Sequence, residues 1–279
     1  MLKSNIKMLF KDLKDPGFCE SLIWTPEYVN AITSFAMLYF SVLGLFLNKT
    51  RNYLIITIFS NIFVNFIGSF AFHYTLYQGW GLIDTITMVI AGFFGMYTIW
   101  TTILQFFIIG NVLHYISIVF FMLTNVFMAF SLADRALDNF IGFETAIAVP
   151  FILIIIGTVV EIIIAKCKGV ETKERVEYVD FTVIKYLIAG VVMVFLTSLI
   201  WLLTEPFCYT KDNRIAYTFS HAFWHIFVSY GFYLIAVCNI YLHGFLRKGR
   251  SALVYRFDND GFFFLFPRCT FTINKNLLT

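Results

Sequence analysis

Long apolar windows separated by short polar breaks run through most of this 279-residue chain. Crossing roughly 30 Å of hydrocarbon takes about 20 mostly apolar residues. Seven windows meet that length: roughly Val29–Leu47, Tyr53–Tyr77, Leu82–Phe107, Asn111–Leu132, Phe143–Ala165, Phe181–Leu203 and Tyr217–Phe245. Between the third and fourth only Gly110-Asn111 marks a turn, so those two boundaries are the least sharply drawn. No internal repeat or low-complexity block interrupts the pattern. It predicts an all-α membrane protein, a seven-transmembrane-helix bundle over residues 29–245. An interfacial segment, 1–28, precedes it and a tail, 246–279, follows.

Composition agrees with the pattern. Hydrophobic residues make up 59% of the chain and charged residues 13%, with 35 phenylalanines suited to acyl chains. A net charge of +3 without a basic, aromatic-interleaved cluster excludes a nucleic-acid partner. Lysines 3, 7, 11 and 14 interrupt any signal-peptide core, and Leu2, Ile6, Leu9 and Leu13 would lie opposite them on a helix. That segment reads either as a short helix on the membrane surface or as a frayed basic terminus.

With seven spans, twelve Lys and Arg residues flank one side and seven the other. The positive-inside rule then places the N-terminus outside and the C-terminus in the cytoplasm. Asn48-Lys49-Thr50 is a glycosylation sequon that falls on the cytoplasmic side, so it is expected to stay unmodified. In the tail, Gly261-Phe262-Phe263-Phe264-Leu265-Phe266-Pro267 is too short to span and reads as a docking or interfacial segment.

Chemistry enters through His221 and His225, four residues apart and hence on one face of the last span. Imidazoles inside a membrane segment are expensive, which makes a pair of them a functional hypothesis. Of the other three histidines, His73 falls near the outer end of the second span, at matching depth. His243 lies at the opposite end of the last span and His114 near the inner start of the fourth. Three histidine ligands with an open fourth position is the arrangement of a catalytic zinc. Ser69 precedes His73 by four residues and shares its face, and Asp84 opens the third span at the same rim. A carboxylate there can shuttle a proton between water and a leaving amine, and a hydroxyl can donate to an oxyanion. Taken singly, Asp84 also reads as the N-cap of its span and Ser69 as a helix-packing residue.

The run Gly68-Ser69-Phe70-Ala71-Phe72-His73-Tyr74-Thr75-Leu76, then Asp84, then His221-x-x-Trp224-His225, resembles the alkaline ceramidase family. That family sits in a seven-helix superfamily with the adiponectin and progestin receptors and certain GPI-anchor remodelling proteins. Cys19-Glu20 followed by Glu27-x-x-Asn30-Ala31 resembles its N-terminal element. The resemblance implies zinc held by His73, His221 and His225, with Ser69 at the oxyanion and Asp84 as general base and then general acid. The implied substrate is a ceramide or similar N-acyl lipid, cleaved to a sphingoid base and a fatty acid in an endomembrane of the ER or Golgi type.

Animal members of the family bind calcium through Asp-Trp-x-Glu-x-Asn and a later Glu. Here the matching run is Gly17-Phe18-Cys19-Glu20-Ser21-Leu22, so two oxygen-bearing positions are lost. Either Glu20, Glu27 and Asp15 keep a weakened calcium site, or the two glutamates pair with nearby lysines or cap the first span. Relatives also pair an N-terminal cysteine, which implies a Cys19–Cys208 disulfide on the outer side, with Cys167, Cys238 and Cys269 free. Rival functions are another lipid amidase or acyl-ester hydrolase, or a lipid-sensing receptor with a structural zinc. A channel or transporter lacks support, since no charged pore ring or broken-helix pair is apparent.

Overall fold

A computed structural model describes residues 19–23, 26–48, 53–107, 119, 141–167, 170–171, 176–177, 179–204, 214–246, 253–259 and 265–273. Among the described residues, a 3-10 turn at Cys19–Leu22 is followed by the α-helices α1 (Tyr28–Thr33), α2 (Phe35–Leu47), α3 (Tyr53–Thr75), α4 (Gln78–Phe107), α5 (Ile141–Cys167), α6 (Phe181–Thr204) and α7 (Arg214–Leu246). Among the described residues, five stretches are long and apolar enough to cross a membrane: Tyr28–Leu47, Ile55–Thr75, Gln78–Leu104, Phe181–Thr204 and Phe219–Phe245. The first of them comprises α1 and α2 together. In α5 the apolar stretch is Ile152–Ile164. The expected fourth span, 111–132, lies outside the described residues.

Side-chain distribution explains why these helices form a bundle. α7 is the central element: Tyr233, Leu234, Val237, Cys238, Ile240 and Leu242 are all buried. α6 packs along it, and Gly190 and Gly231 let the two backbones meet. A Cβ on Gly231 would fall 2.8 Å from the Gly190 carbonyl oxygen. Small residues at such a crossing permit the close van der Waals contact that drives helix association in lipid. The outer faces carry Ile156, Val159 and Ile163 on α5, and Val192, Phe195, Leu199 and Leu203 on α6. A wall of exposed apolar side chains suits hydrocarbon rather than water.

Two irregularities shape the end of the bundle where the histidines lie. The first is the break between α1 and α2. Thr33 and Ser34 donate their hydroxyls back to the carbonyls of Val29 and Asn30, at 2.8 and 2.9 Å. Such back-bonding competes with the helical ladder and bends the chain there. The second is the turn between α3 and α4, where Leu76 adopts φ 53°, a left-handed conformation unusual for a non-glycine residue. Its N–H returns to the Phe72 carbonyl and closes the C-terminus of α3. The reversal is therefore shorter than the sequence suggests, and α4 begins at Gln78 rather than near Leu82.

The tail forms a two-stranded antiparallel hairpin where no strand was expected. β3 (Leu253–Asp258) pairs with β4 (Arg268–Ile273), Leu253 opposite Ile273 and Asp258 opposite Arg268; a further short pair joins β1 (Val170–Glu171) to β2 (Val176–Glu177). Of the segment 261–267, read as docking or interfacial, residues 265–267 dock on α7 and 261–264 lie outside the described residues. Tyr230 and Tyr233 on α7 donate to the carbonyls of Leu265 and Pro267, at 2.6 and 2.7 Å. Phe266 packs against Tyr39, Phe40 and Tyr230. The Cys269 N–H donates to Asn48 Oδ1 at 2.8 Å, and Asn48 Nδ2 donates to the Gly44 carbonyl. The sequon asparagine is thus buried and bonded at both ends of its amide, leaving no room for a glycan.

Candidate metal centre

Along α3, Asn61, Asn65, Ser69 and His73 recur every four residues and so form a polar stripe on an otherwise apolar helix. α7 brings His221 and His225 to the upper end of this stripe. All three histidines are buried, and one ligand-type atom from each lies within 4.8 Å of the other two. Among the described residues no other group of histidine, cysteine and carboxylate side chains converges in this way. His243 is elsewhere, its Nδ1 2.9 Å from the Thr102 hydroxyl; His114 lies outside the described residues.

Hydrogen bonds at the ring nitrogens turn the imidazoles toward one another. His73 Nδ1 donates to Glu27 Oε2 at 2.6 Å, both side chains being fully buried. The Glu27 N–H in turn donates to the His73 carbonyl at 3.0 Å, so the glutamate clasps the end of α3 twice. His225 Nδ1 donates to the Asn30 carbonyl at 3.1 Å, with the Thr33 and Ser34 hydroxyls at 3.2 and 3.4 Å. That pairing leaves a lone pair on His225 Nε2, which faces His221 Nε2 at 3.0 Å. Trp201 and Trp224 stand against the His221 ring, with centroids at 5.0 and 5.6 Å.

This donor set suits a metal ion. Two nitrogens bound tetrahedrally at about 2.0–2.1 Å lie roughly 3.3 Å apart, close to the separation of the two facing Nε2 atoms. A carboxylate on the far nitrogen of one ligand and a backbone carbonyl on that of another are the usual supports of metal-bound histidine. The buried group of His73, His221 and His225 could therefore hold a metal ion.

Beside the histidines lies Asp84, buried in the second turn of α4. It is not the N-cap of its helix, because α4 starts six residues earlier. Asn65 Nδ2 donates to Asp84 Oδ1 at 2.7 Å and to the Asp84 carbonyl at 2.9 Å. Ser69 is within hydrogen-bonding reach of the Asp84 carboxyl, and its oxygen lies 3.1 Å from the Ser34 hydroxyl. Gly68 makes this approach of α3 and α4 possible: a Cβ there would sit 2.8 Å from the Asp84 backbone nitrogen.

Of the carboxylates considered for calcium, Glu20 caps a helix. Its two oxygens accept the N–H groups of Val29 and Asn30 at 2.7 and 2.8 Å, the unpaired donors in the first turn of α1. Burial pushes its carboxyl above the usual range, and those two N–H donors oppose the shift. Glu27 is engaged by His73 and by Asn30 Nδ2. Asp15 and Cys208 lie outside the described residues, as does the Cys19 side chain; Cys167, Cys238 and Cys269 are free.

The profile of the Ceramidase family matches residues 18–267, nearly the whole chain and all of the described helices. This protein belongs to the Ceramidase family. No curated protein matches the chain. The matched region begins one residue before the 3-10 turn and ends where the tail docks on α7, so it includes the Glu20 cap, Glu27 and all three histidines.

Proposed function

We propose that this protein is an integral membrane amidase that hydrolyses ceramide-like N-acyl lipids to a sphingoid base and a fatty acid. The observation that carries the proposal is the meeting of three buried imidazoles with a buried carboxylate and a hydroxyl, in a member of the Ceramidase family. His73, His221 and His225 would hold zinc, an ion well served by imidazole. When bound, zinc supplies Lewis-acid polarisation of the amide carbonyl and lowers the pKa of water at the site.

The remaining work falls to the chain's own residues. Asp84, fixed by Asn65, takes a proton from the attacking water as its oxygen bonds to the carbonyl carbon. It returns that proton to the nitrogen as the C–N bond breaks, so the amine leaves neutral and the acyl group leaves as the carboxylic acid. Ser69 donates its hydroxyl to the developing oxyanion or orients the water. Glu27 and the Asn30 carbonyl fix the ring orientations, and Trp201 and Trp224 keep bulk water from the cluster. In the orientation set by the flanking Lys and Arg residues the site faces the lumen of an endomembrane.

The test is mass spectrometry of products from a panel of ceramides and other N-acyl and O-acyl lipids, using purified full-length protein. Release of sphingoid base, abolished in Asp84→Asn, is the expected result. Turnover of acyl esters alone would move the assignment to an ester hydrolase. Binding without turnover of any lipid would favour a lipid-sensing role.

A further inference from the structure

Two asparagines of α3, one turn apart, reach across to α4. Asn61 Nδ2 donates to the Thr87 carbonyl at 2.5 Å. Asn65 Nδ2 faces three oxygens: Asp84 Oδ1 at 2.7 Å, the Asp84 carbonyl at 2.9 Å and Thr87 Oγ1 at 2.9 Å. Asn65, Asp84 and Thr87 are all buried. Gly68, three residues on from Asn65, lets the helices meet closely enough for the single-carbon stem of an asparagine to span the gap. A Cβ on that glycine would sit 2.8 Å from the Asp84 backbone nitrogen.

These bonds fix which way the Asn65 amide is turned. A backbone carbonyl can only accept, and Thr87 spends its own proton on the carbonyls of Ile83 or Asp84, at 2.8 and 2.9 Å. An amide oxygen in that place would face oxygens with no proton between them, so the NH2 group must point there. Asp84 Oδ1 is therefore occupied as an acceptor. A proton on that same oxygen would be directed against the amide N–H, whereas a proton on Oδ2 leaves the bond from Asn65 intact.

We infer that Asn65 is the positioning residue of the acid–base step: it reserves Oδ1 of Asp84 as an acceptor and leaves Oδ2 alone to exchange the proton. Oδ2 takes that proton from water as the C–O bond forms and returns it to the nitrogen as the C–N bond breaks. Asn65 keeps both of its own protons throughout. By holding the Asp84 carbonyl as well as the carboxylate, it fixes backbone and side chain of one residue together, so the carboxylate cannot turn its two oxygens over between the two transfers. Small errors in the placement of a reacting group cost large factors in rate. The step rests on the hydrolase reading; the link between Asn65 and Asp84 stands on the bonds themselves.

A double-mutant cycle and an infrared spectrum test it, both on full-length, zinc-loaded protein. Asn65→Leu removes the donors with little change of volume, and Asn65→Ala takes its place if leucine prevents folding. With ceramide as substrate, kcat is expected to fall about 10–100-fold, the size of a lost hydrogen bond to a charged group, with KM within about twofold and zinc content unchanged. Added to Asp84→Asn, the same substitution should cost nothing further, because its effect runs through the Asp84 carboxylate. An equal fold-loss in both backgrounds, or loss of zinc with Asn65→Leu, would overturn the inference. The infrared difference between wild type and Asp84→Asn isolates the carboxylate bands of Asp84, and these should shift in Asn65→Leu; unshifted bands would also overturn it. Shifted bands in a protein that cleaves no ceramide would refute the hydrolase reading and leave the Asn65–Asp84 link in place.

Discussion

Replacing Glu27 separates an imidazole from the carboxylate that orients it. Its Oε2 accepts from His73 Nδ1 at 2.6 Å in a fully buried pair, and a second bond comes from Asn30 Nδ2 at 3.2 Å. In Glu27→Ala the Nδ1–H of His73 loses this acceptor, and the ring is no longer held with Nε2 toward His221 and His225. Removing such an outer partner typically weakens metal affinity about 10–100-fold, which is about 1.4–2.7 kcal/mol. Glu27→Gln keeps an oxygen at the same place and loses only the charge, so its loss should stay within about tenfold. The assay is zinc affinity by chelator competition on detergent-purified protein, with thermal unfolding of the metal-free form as the control for folding. The expected order of affinity is wild type, Glu27→Gln, Glu27→Ala. Equal affinity in wild type and Glu27→Ala, both well folded, would refute the orienting role.

Three other outcomes follow from the same geometry. Asp84→Asn should leave zinc content unchanged while lowering kcat about 10²–10⁴-fold, as expected for loss of a general acid–base group; an equal loss of metal would instead make Asp84 structural. Gly68→Ala places a methyl 2.8 Å from the Asp84 backbone nitrogen, and should lower stability by about 1–3 kcal/mol and activity with it; an unchanged melting temperature would show that α3 and α4 separate freely. Deleting residues 253–279 removes the bonds donated by Tyr230 and Tyr233 and the one Asn48 Oδ1 accepts from the Cys269 N–H, each contributing about 1 kcal/mol. Thermal stability should drop with metal content preserved, and loss of metal on truncation would contradict the separation of tail and centre.

Much of this architecture is legible in the chain because it is local. Apolar runs gave α3, α6 and α7 to within a few residues, and i, i+4 spacing put His221 with His225 and Ser69 with His73 on common faces. The resemblance supplied the link between those faces, and the structure brings the residues together. Contacts across long sequence separations were less accessible. Glu27 and His73 are 46 positions apart, and nothing local to Glu27 distinguishes a histidine partner from a lysine. Asn65 did carry a signal, since it extends the Ser69–His73 stripe by one turn; that stripe shows which face of α3 turns inward, and it identifies the partner of Asp84. The start of α4 was misplaced because Leu76 makes a left-handed turn without a glycine to announce it. The tail hairpin depends on docking against α2 and α7, which periodicity in a short segment does not reveal.

The central claim is that His73, His221 and His225 hold one catalytic zinc. Elemental analysis of monodisperse, folded protein tests it most directly, with wild type compared to His73→Ala, His221→Ala and His225→Ala. About one zinc per chain is expected in wild type, with marked loss in each variant and parallel loss of sphingoid-base release. Full ceramide hydrolysis by a well-folded wild-type protein stripped of zinc, or zinc retained undiminished in all three variants, would contradict it.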